Sequence, residues 1–185
     1  MLKTKITEMG RLTPDAFRES EKLPLTVVLD NVRSLHNVGA VFRTSDAYRV
    51  ERVILCGMTA TPPSAEIHKT ALGAEDTVAW EYAEDTLDAV DRLHFEGYTV
   101  CAVEQCHGST PLQQFPIVAS RPDGSPVHYA VILGHEVHGV QQQVVDSCDF
   151  CLELPQYGTK HSLNVSVTAG IVIWEFARRL LMDKQ

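Results

Sequence analysis

The chain has 185 residues, 44% hydrophobic and 22% charged, with a formal net charge of −8. This size and composition suit one domain with a real buried core. They exclude a membrane-spanning helix, because no apolar run reaches the ~18 residues that a bilayer crossing needs, and the polar first 24 residues lack the apolar stretch of a secretory signal.

Residues 1–24 read as an N-terminal extension, polar with mixed charge, carrying a helix that packs on a domain spanning 25–185. "LTVVLD" (25–30) is β-branched and continuously apolar, the pattern of a strand buried on both faces. A helix is expected from Asn37 to Tyr48, followed by a strand at "RVILCG" (52–57). Residues 57–75 read as loop with one short helix at most. "TLDAVDRLHFEG" (86–97) is amphipathic, with Leu87, Val90 and Leu93 on one side and Gly97 ending it. "YTVCAVE" (98–104), "HYAVILG" (128–134) and "FCLELP" (150–155) complete the strands. Between 107 and 127, Pro111, Pro116, Pro122 and Pro126 impose an irregular connection. The last helix covers 164–181. Strands alternating with helices predict an α/β fold, a parallel sheet flanked by helices on both faces. Ligands in such sheets lie beyond the carboxyl ends of the strands. Asp30, Asn31, Glu104, Gly134–Glu136 and the stretch from Pro155 to Asn164 all follow strand ends.

The negative charge is unevenly spread. Residues 74–96 hold eight acids and one base, Arg92, so the remainder is close to neutral. An acidic back leaves room for a phosphate-binding front, for which Arg33, Arg43, Lys69, Lys160, Arg178 and Arg179 are candidates. The five cysteines, an odd number without a secretory signal, fit free thiols in a reducing compartment, hence the cytoplasm. Cys101, Cys106, Cys148 and Cys151 could supply four zinc ligands, but Cys151 lies in a strand-like segment and no short knuckle encloses either pair. His135 and His138 have a spacing that metal ligands sometimes show, and ordinary loop histidines share it. No metal is expected. Gly134-x4-Gly139 mimics the spacing of a phosphate-binding loop, but Val140-Gln141 replace its Lys-Ser/Thr, and no G-x-G-x-x-G follows the first strand.

What remains is an ordered set: Asn37-x5-Arg43, Gly134-x-Glu136-x-x-Gly139, and Pro155 followed by Ser162-Leu163-Asn164. Taken singly, each residue has an ordinary role: Asn37 as a helix N-cap, Arg43 as a surface residue among Ala40, Val41 and Phe42 on a helix that reads as largely buried, Glu136 as an ion-pair partner, Ser162 as the cap of the last helix. Together, in "NVRSLHNVGAVFRTSDA", "VILGHEVHGV" and "LELPQYGTKHSLNVSVTAGIVIWEFARR", they resemble the three motifs of the SpoU, or TrmH-like, branch of the SPOUT RNA methyltransferases. The likeness covers residues ~25 to 181.

That resemblance implies methyl transfer from S-adenosylmethionine to a ribose 2′-hydroxyl of RNA, by a homodimer whose sheet is threaded C-terminally into a trefoil knot. It implies cofactor contacts at Val103, Gly134, Leu154, Ser162 and Leu163, and catalytic roles for Arg43, Asn37, Glu136, Ser162 and Asn164. A guanidinium is a poor base, its pKa lying above ~12. Arg43 is therefore expected to grip a phosphate and stabilise developing alkoxide charge. Many relatives carry an added N-terminal RNA-binding domain and others extend past the last helix. Here ~24 residues precede the first strand and the sequence ends at Gln185, which favours tRNA as substrate with ribosomal RNA as the alternative. Gln156 stands where relatives often have methionine. The competing readings are a non-catalytic RNA-binding module on the same fold and a base methyltransferase of another SPOUT branch.

Overall fold

A computed structural model describes residues 1–182, so the last three residues of the expected 25–185 domain lie outside the described range. Seven strands form one parallel sheet: β1 (Leu23–Asp30), β2 (Val50–Cys56), β3 (Trp80–Ala83), β4 (Thr99–Val103), β5 (Thr110–Pro111), β6 (Tyr129–Leu133) and β7 (Phe150–Glu153). Their spatial order is β3-β2-β1-β6-β4-β7-β5. The helices are α1 (Pro14–Glu19), α2 (Leu35–Ala47), α3 (Ala65–Ala71), α4 (Thr86–Phe95), α5 (Gln142–Ser147) and α6 (Val165–Ala177).

β1 lies near the middle of the sheet, and its alternate side chains enter two cores, which is why it is buried along nearly its whole length and is mostly apolar. Leu25, Val27 and Leu29 pack with Val41 and Phe42 of α2, Ile67 of α3, and Val172, Ile173 and Phe176 of α6. Val28 points the other way, joining Ile54, Ala102 and Ile132 against Val90 and Leu93 of α4 and Val144 of α5. Burying a side chain of this kind stabilises by roughly 1.5–3 kcal/mol. The first core therefore fixes α2 and α6 to the same face of the sheet, and their N-termini carry two of the three polar motifs.

Several boundaries differ from the sequence expectation for identifiable reasons. In the N-terminal stretch, α1 is confined to Pro14–Glu19, capped by Thr13 and anchored by the buried Phe17. β3 was not foreseen: "WEYA" exposes Trp80 and Tyr82 and pairs only with β2, so it shows no buried alternation. α5, six residues long, was also missed. α2 begins before Asn37, because Ser34 is its N-cap and accepts the Asn37 amide at 3.3 Å. α6 is capped by Asn164, not Ser162, and passes into a π-type turn over Arg178–Met182.

Candidate active site

β6 is inserted between β1 and β4, and β7 pairs with β4, so the carboxyl ends of β4, β6 and β7 lie side by side. A cavity of about 480 Å³ opens there. That is within the ~300–1,000 Å³ typical of small-molecule sites. Val103, Gly134, Leu154, Ser162 and Leu163, the positions marked for a cofactor, all line it. Glu136 and Asn164 line it as well.

The turn after β6 is tightly closed. His135 and Gly139 exchange backbone hydrogen bonds at 3.0 and 2.8 Å, and Gly139 adopts a positive φ of +68°. A Cβ on Gly134 would come within 2.1 Å of the Gly139 carbonyl carbon and the Val140 nitrogen. Glycine is thus demanded here by the protein's own returning backbone, a reason nearer than the expected approach of a cofactor. Glu104, at the end of β4, braces the same turn: its Oε2 accepts the Val140 amide at 3.0 Å and its Oε1 the Gln105 amide at 2.8 Å. Gln105 Nε2 then donates to the His161 carbonyl at 2.7 Å, tying the strand end to the segment before α6.

Glu136 reaches from this turn to the start of α2. Its Oε2 accepts the Arg33 amide at 3.0 Å, and its Oε1 accepts the Ser34 amide at 2.9 Å and Asn37 Nδ2 at 3.0 Å. Burial acts to raise its pKa, but the Arg33 and Ser34 amides and the Asn37 side chain prevail and hold the carboxyl below its usual range. An anion at a helix N-terminus also meets otherwise unpaired amides and the positive end of the helix dipole. Asn37, only 8% exposed, spends its other end on Asn164: Asn164 Nδ2 donates to Asn37 Oδ1 at 3.1 Å. Asn164 in turn caps α6 by accepting the Ser166 amide at 2.9 Å. One chain of hydrogen bonds, Glu136–Asn37–Asn164, therefore joins the three sequence motifs at the rim of the cavity. Ser162 is exposed on the same wall, and among the described residues its side chain makes no hydrogen bond.

Arg43 stands apart. It lies on the solvent stripe of α2 with His36 and Ala47, does not line the cavity, and forms no ion pair among the described residues. The ordinary reading of Arg43 as a surface residue of a largely buried helix agrees with this placement: its neighbours Val41 and Phe42 are buried and its own side chain is exposed. Of the six bases considered for a phosphate-binding front, Lys69 pairs with Glu66, and Arg178 and Arg179 pair with Glu175. Arg33, Arg43 and Lys160 face solvent.

Among the described residues no three His, Cys, Asp or Glu side chains are grouped to hold a metal. Burial pushes the thiols of Cys56, Cys148 and Cys151 up to about 12 and raises that of Cys101 too, so these sulfurs are neutral at pH 7. Sequence reasoning missed Gln105 and Gln141. It placed Glu104 and Asp30 after strand ends without giving either a role. Asp30, fully buried, accepts the Gln141 amide at 3.0 Å, Gln141 Nε2 at 2.9 Å and Thr86 Oγ1 at 2.7 Å. A charged residue closing an otherwise apolar strand was the available signal, because a buried charge needs partners.

A family model described as the SpoU rRNA Methylase family matches residues 24–174. A Staphylococcus haemolyticus protein ascribed to the TrmH family of tRNA/rRNA methyltransferases is 28% identical, over 89% of this chain and 64% of that protein. A 23S rRNA (guanosine-2′-O-)-methyltransferase of Neisseria meningitidis is 28% identical, over 92% of this chain and 65% of that protein. The chain thus spans less than two thirds of the length of these curated relatives. Among solved structures, an rRNA methyltransferase of Sinorhizobium meliloti with AdoMet bound superposes with a TM-score of 0.77 at 26% identity, over 93% of this chain and 62% of that one. A tRNA modifying enzyme of A. aeolicus shares the fold, with a TM-score of 0.75 at 24% identity over 88% of this chain and 78% of that one.

Proposed function

We propose a function from one premise: the chain belongs to the SpoU rRNA methylase family. It is an S-adenosylmethionine-dependent methyltransferase acting on a ribose 2′-hydroxyl of RNA. The observation that carries this reading is the Glu136–Asn37–Asn164 chain of hydrogen bonds at the rim of the 480 Å³ cavity. It draws three segments far apart in sequence to one place. The S. meliloti relative solved with AdoMet supports the cofactor, and the name of the N. meningitidis relative supports the ribose 2′-oxygen.

The residues present suit that cofactor. Val103, Leu154 and Leu163 offer an apolar slot for an adenine, and the backbone around Gly134 offers amides and carbonyls to read its edge. Glu104 and Glu153 face the same cavity and complement a cationic ligand. When bound, the sulfonium supplies an already activated methyl group, so the protein's task is positioning and charge stabilisation. Glu136 and the α2 N-terminus fix Asn37, Asn37 fixes Asn164, and Ser162 and Asn164 present polar groups to the ribose. Arg43 binds the neighbouring phosphate and stabilises negative charge as it develops on the 2′-oxygen.

Because Arg43 is exposed and does not line the cavity of its own chain, the complete site forms between two subunits. Support comes from α6, which exposes Val167, Ile171 and Trp174 on one stripe while its other side is in the core. We assign the C-terminal segment a trefoil knot. The Gln105–His161 contact, which pins the stretch before α6 against the end of β4, and the return of α6 onto α2 and β1 support it. No helix among the described residues is long and apolar enough to cross a membrane, and the place of action proposed is the cytoplasm. The RNA is proposed to be tRNA. Ribosomal RNA is the second reading, favoured by the N. meningitidis relative.

The test incubates the protein with S-adenosylmethionine and with tRNA or ribosomal RNA from cells lacking the gene, then digests the RNA to nucleosides for mass spectrometry. A 2′-O-methyl nucleoside is expected, and the arm in which it appears identifies the RNA. A base-methylated nucleoside would overturn the ribose assignment. Failure to bind S-adenosylmethionine in calorimetry would leave a non-catalytic RNA-binding module.

A further inference from the structure

The pair His135 and His138 is unused by the chemistry above. We propose that it is a stacking platform for a base of the RNA, with His138 the ring that the base covers. The inference rests on the reading of this cavity as an RNA-modifying site.

The platform is built rigidly. His135 and Gly139 close the turn through two backbone hydrogen bonds, Glu104 holds the following Val140 amide, and Glu136 is fastened to the start of α2. Inside the turn, His135 Nδ1 accepts the Val137 amide at 2.9 Å and the His138 amide at 3.3 Å. These bonds place the proton of the neutral ring on Nε2 and fix the ring plane. The His138 ring lies against it, centroids 4.8 Å apart and planes inclined by 31°. This is a tilted aromatic contact at the near end of the favourable distance range.

Among the described residues the outer ring has no other partner. His138 is exposed, and among the described residues its side chain makes no hydrogen bond or ion pair. Val137 beside it is 77% exposed. An ordered aromatic ring held open to solvent, flanked by an apolar side chain, is the arrangement that proteins use to receive unstacked bases, histidine included. Its position completes the case: both rings line the cavity that Ser162 and Asn164 also line, so a base stacked there has its ribose near the groups proposed to orient it. A metal does not account for the pair, since two amides occupy Nδ1 of His135 and no third ligand is grouped with the rings among the described residues. The adenine of the cofactor offers the same π-face, so the experiment must separate the two sources.

Wild type, His138→Ala and His138→Phe are compared in two titrations: fluorescence anisotropy with a short labelled oligoadenylate, and calorimetry with S-adenosylmethionine. Loss of one base stack should weaken RNA binding roughly 5- to 100-fold in His138→Ala. His138→Phe should restore it, and cofactor affinity should be unchanged in both. Equal RNA affinity in His138→Ala and wild type would overturn the proposal. So would failure of phenylalanine to rescue, a loss confined to cofactor binding, or no RNA binding by the wild type. If the wild type binds RNA with the expected His138 dependence but transfers no methyl group, the methyltransferase reading falls and the platform stands.

Discussion

Asn37 is the single side chain on which the convergence of the three motifs turns, and Asn37→Asp perturbs it with little change in shape. The substitution keeps an acceptor for Asn164 but replaces the Nδ2 donor, 3.0 Å from Glu136 Oε1, by a carboxylate oxygen. Two full charges about 3 Å apart at an effective dielectric near 20 repel by about 5 kcal/mol. The pair escapes part of this by sharing a proton, which raises one carboxyl pKa, and solvent beside Glu136 screens more, leaving about 2–3 kcal/mol at neutral pH. The pH dependence distinguishes this cause from a lost hydrogen bond. In the wild type the Glu136 pKa is lowered, so its contribution is present above the unfolded carboxyl value and is lost as pH falls through the folded one. In Asn37→Asp one folded pKa is raised, so the native state binds more protons and stability declines as pH rises from ~4 towards ~7. Asn37→Ala removes two hydrogen bonds, one to a charged acceptor, at a cost of about 2–4 kcal/mol with no pH dependence between pH 5 and 7.5. Urea unfolding of the three proteins at pH 5 and pH 7.5 measures all of this. Asn37→Asp should lie well below wild type at pH 7.5 and approach it at pH 5. Equal denaturation midpoints for Asn37→Asp at the two pH values would refute the placement of Glu136 against Asn37.

Arg43→Ala should abolish methyl transfer while leaving the melting temperature and the calorimetric affinity for S-adenosylmethionine unchanged, because the side chain is exposed and outside the cavity. Gly134→Ala drives a methyl group to 2.1 Å from backbone atoms that cannot swing aside, and should cost about 1–3 kcal/mol of stability, read by thermal unfolding, together with cofactor affinity. Ile171→Lys places a charge in the apolar stripe of α6, where Ile171 is 40% exposed. Light scattering should report a shift from dimer to monomer without unfolding, and transfer activity should fall with it.

The fold was legible wherever burial was two-sided. β1, β2, β4 and β6 each carry a predominantly apolar run because helices cover both sheet faces, and the sequence alone places them to within a residue or two. β3 escaped because it belongs to the sheet edge. Its backbone bonds to β2, but Trp80 and Tyr82 point outward, so no hydrophobic period records the pairing. α5 escaped because six residues give too short a window for a helical period to emerge. The spatial order β1-β6-β4-β7 was not readable either, since parallel pairing between distant strands leaves no local trace.

The site divides along the same physical line. Polar residues placed against the local pattern were visible: Ser162 and Asn164 before an apolar helix, and Glu136 between two glycines just after a strand end. Their partners were not, because partnership is set by tertiary approach. Nothing near Asn37 in sequence says that its amide lies between Glu136, 99 residues away, and Asn164, 127 residues away. The local reading made Asn37 an N-cap, a role that Ser34 fills, and made Ser162 the cap that Asn164 provides. The two cases differ in what the tertiary bonds leave over for the local one. Asn37 gives both ends of its amide to other segments and leaves the α2 cap to Ser34, whereas Asn164 has enough groups for both tasks, capping α6 through Oδ1 and reaching Asn37 through Nδ2. An asparagine at the start of α6 can thus couple helix initiation to site assembly, which a serine there, with a single hydroxyl, could not do as fully. On this reasoning Asn164→Ser should preserve the cap and keep stability to within about 1–2 kcal/mol, yet break the link to Asn37 and lower transfer. A variant with full activity would show that the link is structural ornament.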